Sequence, residues 1–372
     1  QAGDSGLMAI VKADAYGHGS IPVARVLREE GVRHFAVARP SEGIKLREAG
    51  LADHILVLGA PFRDQLQVYT THDLDATIPS SETAEAACRH GHPTQPLRVH
   101  VKVDTGMGRI GLDPDVAPQV IRQLSEAPGV TLAGVWTHFA TADQPESAFA
   151  QTQLRRFEAV LDAIETPHPF PGHVHAANTG ALLTIGAPAH EFPAPLVRTG
   201  IALYGFAARA ELHNELDLRP VLTLSARVTH LKTVETGTPI SYGGHWRAPR
   251  TTCIATLGVG YGDGYPRLCS GRASVCIGGA ERPIVGTICM DMCMVDLGPP
   301  DQSPAIDVEV GDNAVLFGAS GPTLYDVAEW AETIPYEITC GISPRVPRQF
   351  VDPAPESETA PRTSARASPE LS

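Results

Sequence analysis

A lysine near the end of an apolar strand is a candidate for covalent chemistry on carbonyl groups. Lys12 stands near the end of the apolar run Leu7–Ala13, inside Val11-Lys12-Ala13-Asp14-Ala15-Tyr16-Gly17-His18-Gly19. Partial loss of water there disfavours the ammonium form, lowers its pKa and frees the amine to form a Schiff base. The same lysine can instead run its stem along the strand and keep its head in water. The segment after it favours the first reading, because it is a glycine-bearing turn that opens a helix and offers the Tyr16 phenol to a phosphate. Other polar groups also end apolar runs: Lys102 and Asp104 followed by Arg109, then His138, Asn178-Thr179 and Arg198.

Strands must deliver these groups to one place. In the first 200 residues, short apolar runs alternate with helical-period segments. The runs are Leu7–Ala13, His34–Arg39, His54–Gly59, Asp75–Ser80, Leu97–Asp104, Val130–Phe139, His173–Asn178 and Leu196–Ile201. The helical segments between them include Ile21–Glu30, Glu42–Ala49, Glu82–His90, Val116–Glu126 and Glu146–Ile164. Alternation of this kind predicts βαβ units and a parallel sheet. About eight strands close a (β/α)8 barrel of the TIM type, whose active site lies at the C-terminal ends of its strands. An open doubly wound sheet is the alternative, although no GxGxxG follows the first strand.

After Gly205 strand-like runs follow one another directly: Val221–Val234, Thr251–Val259, Ala273–Gly278, Pro283–Leu297 and Ala314–Gly318. They predict a mainly-β second domain. One helix interrupts it at Thr323–Thr333, with Thr323 as N-cap and Asp326 in the first turn. The expected division is a barrel over 1–210, a β-rich domain over 211–352 and a disordered tail over 353–372, where proline, serine, alanine and glutamate replace large apolar residues.

The chain of 372 residues carries 42 acidic and 29 basic side chains, a net charge of -13. That balance argues against nucleic-acid and anionic-membrane partners while leaving room for a local basic pocket. No apolar stretch is long enough to span a membrane. Seven scattered cysteines with no CxxC pair predict reduced thiols and no metal site. With no secretory signal visible, the expected location is cytoplasmic.

The block Val11–Gly19 resembles the pyridoxal-phosphate lysine motif of alanine racemases. The similarity continues through Lys102-Val103-Asp104-Thr105-Gly106-Met107-Gly108-Arg109-Ile110-Gly111, Thr137-His138-Phe139-Ala140 and Ala176-Ala177-Asn178-Thr179. It runs on through Val197-Arg198-Thr199-Gly200-Ile201-Ala202-Leu203-Tyr204-Gly205, Val259-Gly260-Tyr261-Gly262-Asp263-Gly264-Tyr265, Ile288-Cys289-Met290-Asp291 and Tyr336-Glu337-Ile338. The blocks keep the family's order from Leu7 to about Val351.

The resemblance implies a fold-type III pyridoxal 5'-phosphate enzyme that interconverts L- and D-alanine and supplies D-alanine for peptidoglycan. By the family pattern Lys12 holds the cofactor. Tyr16, Thr179, Gly200, Ile201 and Tyr336 bind its phosphate, while His138 and Asn178 lie at its ring. Arg198 meets the ring nitrogen, and because an arginine only donates, it leaves that nitrogen unprotonated. Racemisation needs a base on each face of Cα, and the family assigns these roles to Lys12 and Tyr261. Tyr261 needs a cation to act near neutrality, and Arg109 is the candidate.

Met290 lines the substrate carboxylate pocket with Arg109, and Asp291 is a positioning residue. Lys102 is either a lysine carbamylated by carbon dioxide or a partner of Asp104 in a strand-end network. Asp143, Asp263 and Tyr265 resemble entrance residues. The family also implies a homodimer with shared active sites and a small amino-acid substrate. Racemisation of serine or of several amino acids is the alternative activity, and a non-catalytic cofactor carrier is the alternative class. Two features depart from the pattern. Only 11 residues precede Lys12, where family members carry a helix and a strand, and Thr287 stands where some relatives have arginine.

Overall fold

The computed structural model describes residues 5–144, 146–164, 172–185, 195–207, 209–215, 217–301 and 307–351. The tail expected at 353–372 lies outside them.

Eight strands alternate with helices in the first half. They are β1 (Gly6–Ile10), β2 (His34–Val37), β3 (His54–Val57), β4 (Asp75–Ile78), β5 (Leu97–Lys102), β6 (Val130–Trp136), β7 (His173–His175) and β8 (Leu196–Thr199). All pairs are parallel, in the order β7-β6-β5-β4-β3-β2-β1-β8. Parallel bridges Val174–Pro195 and Asn178–Arg198 join β7 to β8 and close the ring. The expected barrel is therefore the fold, and the open sheet is excluded.

The helices form where the apolar period requires them. Helix α6 (Ala117–Glu126) buries Ala117, Val120, Ile121 and Leu124, a single stripe turned to the barrel. Helix α5 (Ser81–His90) starts where Ser80 Oγ accepts the Thr83 amide at 3.3 Å. Sequence periodicity misses three short helical pieces: α1 (Lys12–Tyr16), α4 (Leu66–Thr71) and α8 (Thr179–Thr184). None is long enough to show a repeat.

Strand β5 shows why polar groups reach the interior. Leu97, Val99 and Val101 occupy one face, and Arg98, His100 and Lys102 alternate with them on the other, which faces the barrel axis. Most barrels of this type fill the axis with branched apolar residues. Here it is lined by charges and imidazoles.

In the second half β9 (Leu224–Val234), β12 (Thr252–Leu257), β13 (Ser274–Ile277), β14 (Ala280–Val285), β15 (Cys293–Gly298) and β16 (Asn313–Phe317) make a closed antiparallel barrel, in the order β12-β15-β14-β13-β16-β9. A ribbon of β10 (Pro239–Ile240) and β11 (Trp246–Arg247) accompanies it. The apolar run Pro283–Leu297 is not one strand, because the loop holding Met290 and Asp291 separates β14 from β15. Tyr265 is fully buried in this half and does not reach an entrance. Its ring packs into the core that the two halves share.

Helix α9 (Leu324–Trp330) begins with the expected cap: Thr323 Oγ1 accepts the Asp326 amide and Asp326 Oδ2 accepts the Thr323 amide. Helix α10 (Pro335–Gly341) follows and docks on α1. The two halves share one continuous core that runs from Val11 and Phe35 to Val295 and Ile338.

Candidate active site

The chain leaves β1 through an unusual turn. Ala13, Asp14, Ala15 and Tyr16 all have positive φ, between 52° and 56°, so α1 is a left-handed turn built from non-glycine residues. Each residue in that conformation costs about 1–2 kcal/mol. Bonds on every side offset this cost. Glu42 Oε1 accepts the Ala13 amide at 2.6 Å, and Asp14 takes the Ser20 amide at 3.0 Å and Lys45 Nζ at 2.9 Å. His18 Nδ1 lies 2.9 Å from Ala15 O and 3.0 Å from Tyr16 O. Gly17 continues the turn at φ 82°, and a Cβ there would overlap Thr339 O of α10, so only glycine fits. The turn aims Lys12 and Tyr16 at the same mouth.

An anion cradle lies beside Tyr16. A Cβ at Gly200 would stand 2.7 Å from the Tyr16 hydroxyl, so the missing side chain brings that phenol close to the backbone. The Gly200 amide donates to Thr179 Oγ1 at 3.1 Å. Thr179 opens α8, which is capped by Asn178 Oδ1 accepting the Ala181 amide at 2.9 Å. Ile201 starts a 3-10 turn that packs Tyr204 against Tyr16, with centroids 5.0 Å apart, and Tyr336 of α10 packs at 5.9 Å. Burial, with neighbouring Tyr336 and Cys340, raises the Tyr16 phenol far above its usual range. Burial, with Asp143 next, does the same for Tyr336. Both remain neutral donors.

Arg198 is buried at the end of β8. Its Nη1 faces His175 Nδ1 at 3.1 Å and His175 O at 2.6 Å. Its Nη2 faces Thr137 O at 2.7 Å, Ala176 O at 2.9 Å and His138 Nδ1 at 3.2 Å. Among the described residues Nε donates to no group, so one N–H is left for a ligand. Burial, then the like charge of Arg109, pulls Arg198 down to about 9, which leaves it charged at neutral pH. Asn178 Nδ2 lies 3.4 Å from His138 Nε2. Burial and the surrounding cations, Arg198 first, push His138 well below its ordinary value.

Lys102 is enclosed, with Nζ donating to Val103 O at 3.0 Å and lying 4.7 Å from the centre of the Trp136 ring. Burial, with Arg198 and Arg109 adding to it and Asp104 opposing, lowers it to about 7. Asp104 does not bond Lys102. It accepts the Gly106 and Gly108 amides at 3.0 and 3.1 Å and holds the loop that leads to Arg109. Lys12 is lowered as well, by burial first and then by Arg109. Thus Lys12, Lys102, Arg109 and Arg198 act on one another across the barrel mouth. The mouth is positive in a chain of net charge -13, which suits an anionic cofactor and a carboxylate substrate.

Tyr261 and Met290 belong to the β domain. They share a corner of the β domain, where the Tyr261 amide donates to Cys289 O at 3.0 Å and the Gly262 amide to Met290 O at 2.8 Å. Arg345 ties the corner together through Asp263 at 2.7 Å and Asp291 at 2.6 Å. Tyr261 is 43% exposed and Met290 53% exposed. Among the described residues no hydrogen bond, ion pair or ring contact joins either of them to Lys12. Asp143 is half-buried near Tyr336, and Thr287 is buried with Oγ1 donating to Tyr242 O at 3.0 Å.

The sequence reading missed Glu42, His18, His100, His175, Trp136 and Asp75. The signal for His100 was present in the alternation of β5, and that for His175 in the polar ends of the short strand His173–His175.

Comparison with known proteins identifies the family. The family model for the alanine racemase N-terminal domain matches residues 1–208, and that for the alanine racemase C-terminal domain matches 221–350. An alanine racemase of Halothermothrix orenii is 42% identical over 348 residues, covering 92% of this chain and 89% of the relative. One from Deinococcus radiodurans is 43% identical over 344 residues, covering 92% of each. The solved alanine racemase of E. faecalis superposes with TM-score 0.82 at 36% identity, over 92% of this chain and 90% of the other. That of Bacillus anthracis, solved with bound L-Ala-P, does so with TM-score 0.83 at 35% identity, over 94% and 89%. The chain belongs to the alanine racemase family.

Proposed function

We propose that this chain interconverts L- and D-alanine by a two-base mechanism with pyridoxal 5'-phosphate held at Lys12, supplying D-alanine for peptidoglycan. The observation that carries this reading is Arg198, whose two Nη atoms are taken up by protein acceptors while Nε stays available at the barrel mouth. The residues present fit the cofactor. Tyr16, Thr179, Gly200, Ile201 and Tyr336 would hold its phosphate, and the absence of a Cβ at Gly200 keeps the Tyr16 hydroxyl close to this backbone. Pyridoxal phosphate, when bound, withdraws electrons from Cα of the linked amino acid and makes its proton removable.

The chain's own residues do the rest. Arg198 donates and cannot accept, so beside the ring nitrogen of a bound cofactor it would leave that nitrogen unprotonated. That weakens electron withdrawal and favours return of the proton to Cα over side reactions. Lys12 Nζ would serve one face of Cα, and its lowered pKa leaves more of the amine unprotonated and able to take a proton. Tyr261 Oη serves the opposite face. Arg109 and Met290 would hold the substrate carboxylate. The neutral Lys102 amine can react with carbon dioxide, and the resulting anion would orient Arg109.

The exposure of Tyr261 and Met290, which among the described residues make no bond or ring contact with Lys12, supports a homodimer in which each mouth is closed by the partner's β domain. Met292, in the same loop as Met290, is also 49% exposed. The reading divides the chain into a cofactor-binding barrel at 1–210 and a β domain at 211–352. Seven free cysteines support a reducing, cytoplasmic setting. No described helix is long and apolar enough to cross a membrane. The test is a racemase assay across alanine, serine and arginine, with and without added cofactor. Cofactor-dependent turnover of alanine above the others is expected, and faster turnover of serine or arginine would overturn the substrate assignment.

A further inference from the structure

Below the mouth, the barrel axis holds a directed line of polar groups. Asp75, at the start of β4, is buried and receives Arg98 at two points, Nε to Oδ1 at 2.7 Å and Nη2 to Oδ2 at 3.0 Å. His100 Nε2 lies 3.3 Å from Asp75 Oδ2. His100 Nδ1 lies 3.0 Å from His175 Nε2, and His175 Nδ1 lies 3.1 Å from Arg198 Nη1. The line thus runs from Arg198 through two imidazoles to a carboxylate.

Its two ends fix its direction. A guanidinium only donates and a carboxylate only accepts. His175 Nδ1 must therefore accept from Arg198, which puts its proton on Nε2. His100 Nδ1 must accept that Nε2–H, which puts the His100 proton on its own Nε2, where it donates to Asp75. Both imidazoles are neutral in this arrangement. Burial first, and Arg198 next, hold His175 well below its ordinary value, consistent with that state. Burial alone would raise the Asp75 carboxyl, but its bonds to His100 and Arg98 outweigh this and hold it far below the carboxylate range.

The surroundings are shaped for the line. A Cβ at Gly134 would stand 2.4 Å from His100 Nδ1, so glycine makes the room in which the two rings meet. The Trp136 ring lies parallel to that of His175, 5.6 Å away. It also lies 4.9 Å from the Arg198 guanidinium carbon.

We propose that Asp75 is a positioning residue for Arg198, acting through His100 and His175 to fix their tautomers, so that Arg198 keeps an acceptor on Nη1 and presents Nε to the mouth. This rests on reading Arg198 as the partner of the cofactor's ring nitrogen. Asp75→Asn reverses the line. Charged Arg98 takes the amide oxygen and turns the amide Nδ2 toward His100. His100 must then accept at Nε2 and carry its proton on Nδ1, which drives the His175 proton onto Nδ1, against a donor of Arg198.

The direct test is long-range 15N–1H correlation of histidine-labelled holoenzyme at neutral pH. His100 and His175 should both appear neutral and protonated on Nε2. Asp75→Asn should move the His100 proton to Nδ1 and lower kcat by about 10- to 100-fold, with KM for alanine little changed. A wild-type spectrum with a charged or Nδ1-protonated ring at either position would overturn the proposal, as would unchanged tautomers in Asp75→Asn. If Asp75→Asn does not fold, two His100 variants carry the same test. His100→Gln retains an acceptor for His175 and a donor for Asp75, and should keep the His175 tautomer and most of kcat. His100→Leu should lose both, and equal activity in the two would overturn the idea. Failure of the underlying reading looks different: Arg198→Glu would leave racemisation unchanged while the histidine tautomers of the wild type stay as stated.

Discussion

Glu42 Oε1 accepts the Ala13 amide at 2.6 Å, and this bond ties the first turn of α3 (Pro40–Glu48) to the left-handed turn behind Lys12. Glu42 Oε2 also accepts the Ala38 and Arg39 amides at 2.8 and 3.0 Å. One carboxylate therefore caps a helix and restrains a strained turn. Removing it should loosen both. Glu42→Ala is expected to lose about 2 kcal/mol of stability, the scale of a charge-assisted hydrogen bond. It should also retain cofactor poorly. Denaturant unfolding and cofactor occupancy after dialysis check the two effects, and full occupancy would count against a role in holding the turn.

The Gly200 backbone faces the Tyr16 hydroxyl with no room for a methyl group. Gly200→Ala puts a methyl group against the Tyr16 hydroxyl on a backbone at φ -110°, ψ -101°, outside the regions that residues with a side chain favour, so a thermal melt first confirms that the variant folds. Cofactor affinity should fall by about tenfold or more, equal to the loss of roughly 1.4 kcal/mol. A fluorescence titration of the apoenzyme reads it directly. Affinity equal to wild type would move the phosphate away from this cradle.

Lys102 gives a pH dependence with a definite sign. Its folded value, lowered to about 7, lies below the ordinary lysine value of 10.5. Between these values the unfolded chain binds more protons, so this group makes stability rise with pH. Its destabilising effect is complete below pH ~7 and fades above it. In carbon-dioxide-free buffer, wild type should gain about 2 kcal/mol relative to Lys102→Met between pH 7 and 9. Parallel stability curves would show an unperturbed lysine. Added bicarbonate should raise wild-type stability further over this range if the amine is carbamylated, because the folded state then takes up bicarbonate and releases a proton.

Shared sites make a prediction about mixtures. Lys12→Ala and Tyr261→Phe are each expected to be nearly inactive. After subunit exchange, about half the dimers are hybrids and roughly a quarter of all sites regain both residues for a two-fold pair. Activity should recover to about that fraction. Recovery of nothing, with exchange confirmed by mass, means that each site lies within one chain.

The eight strands were legible in the sequence because each is a short apolar run between helical segments, and Lys12, Lys102 and Arg198 were legible as polar residues at the ends of such runs. The helix cap Thr323–Asp326 was legible for the same local reason. The left-handed turn was not, because Ala13 and Ala15 disfavour positive φ, and bonds from Glu42, His18, Ser20 and Lys45 hold the turn there. Closure of the second barrel depends on pairing between distant strands such as β9 and β16, which local pattern does not encode. Tyr265 was misplaced because a tyrosine in a Gly-Asp-Gly-Tyr segment reads as a loop residue, whereas its ring completes a core. The line from Asp75 to Arg198 joins β4, β5, β7 and β8, so no single stretch of sequence contains it.

The central claim is that Lys12 and Tyr261 serve opposite faces of Cα. The most direct measurement is the rate at which Tyr261→Phe removes a Cα deuteron from each enantiomer of alanine, observed under single-turnover conditions with chemistry rate-limiting. One enantiomer should lose about 10²- to 10⁴-fold, the usual worth of a positioned base. The other should keep its first proton transfer nearly at the wild-type rate, because Lys12 remains on its face. Equal losses for both enantiomers would contradict the two-face account.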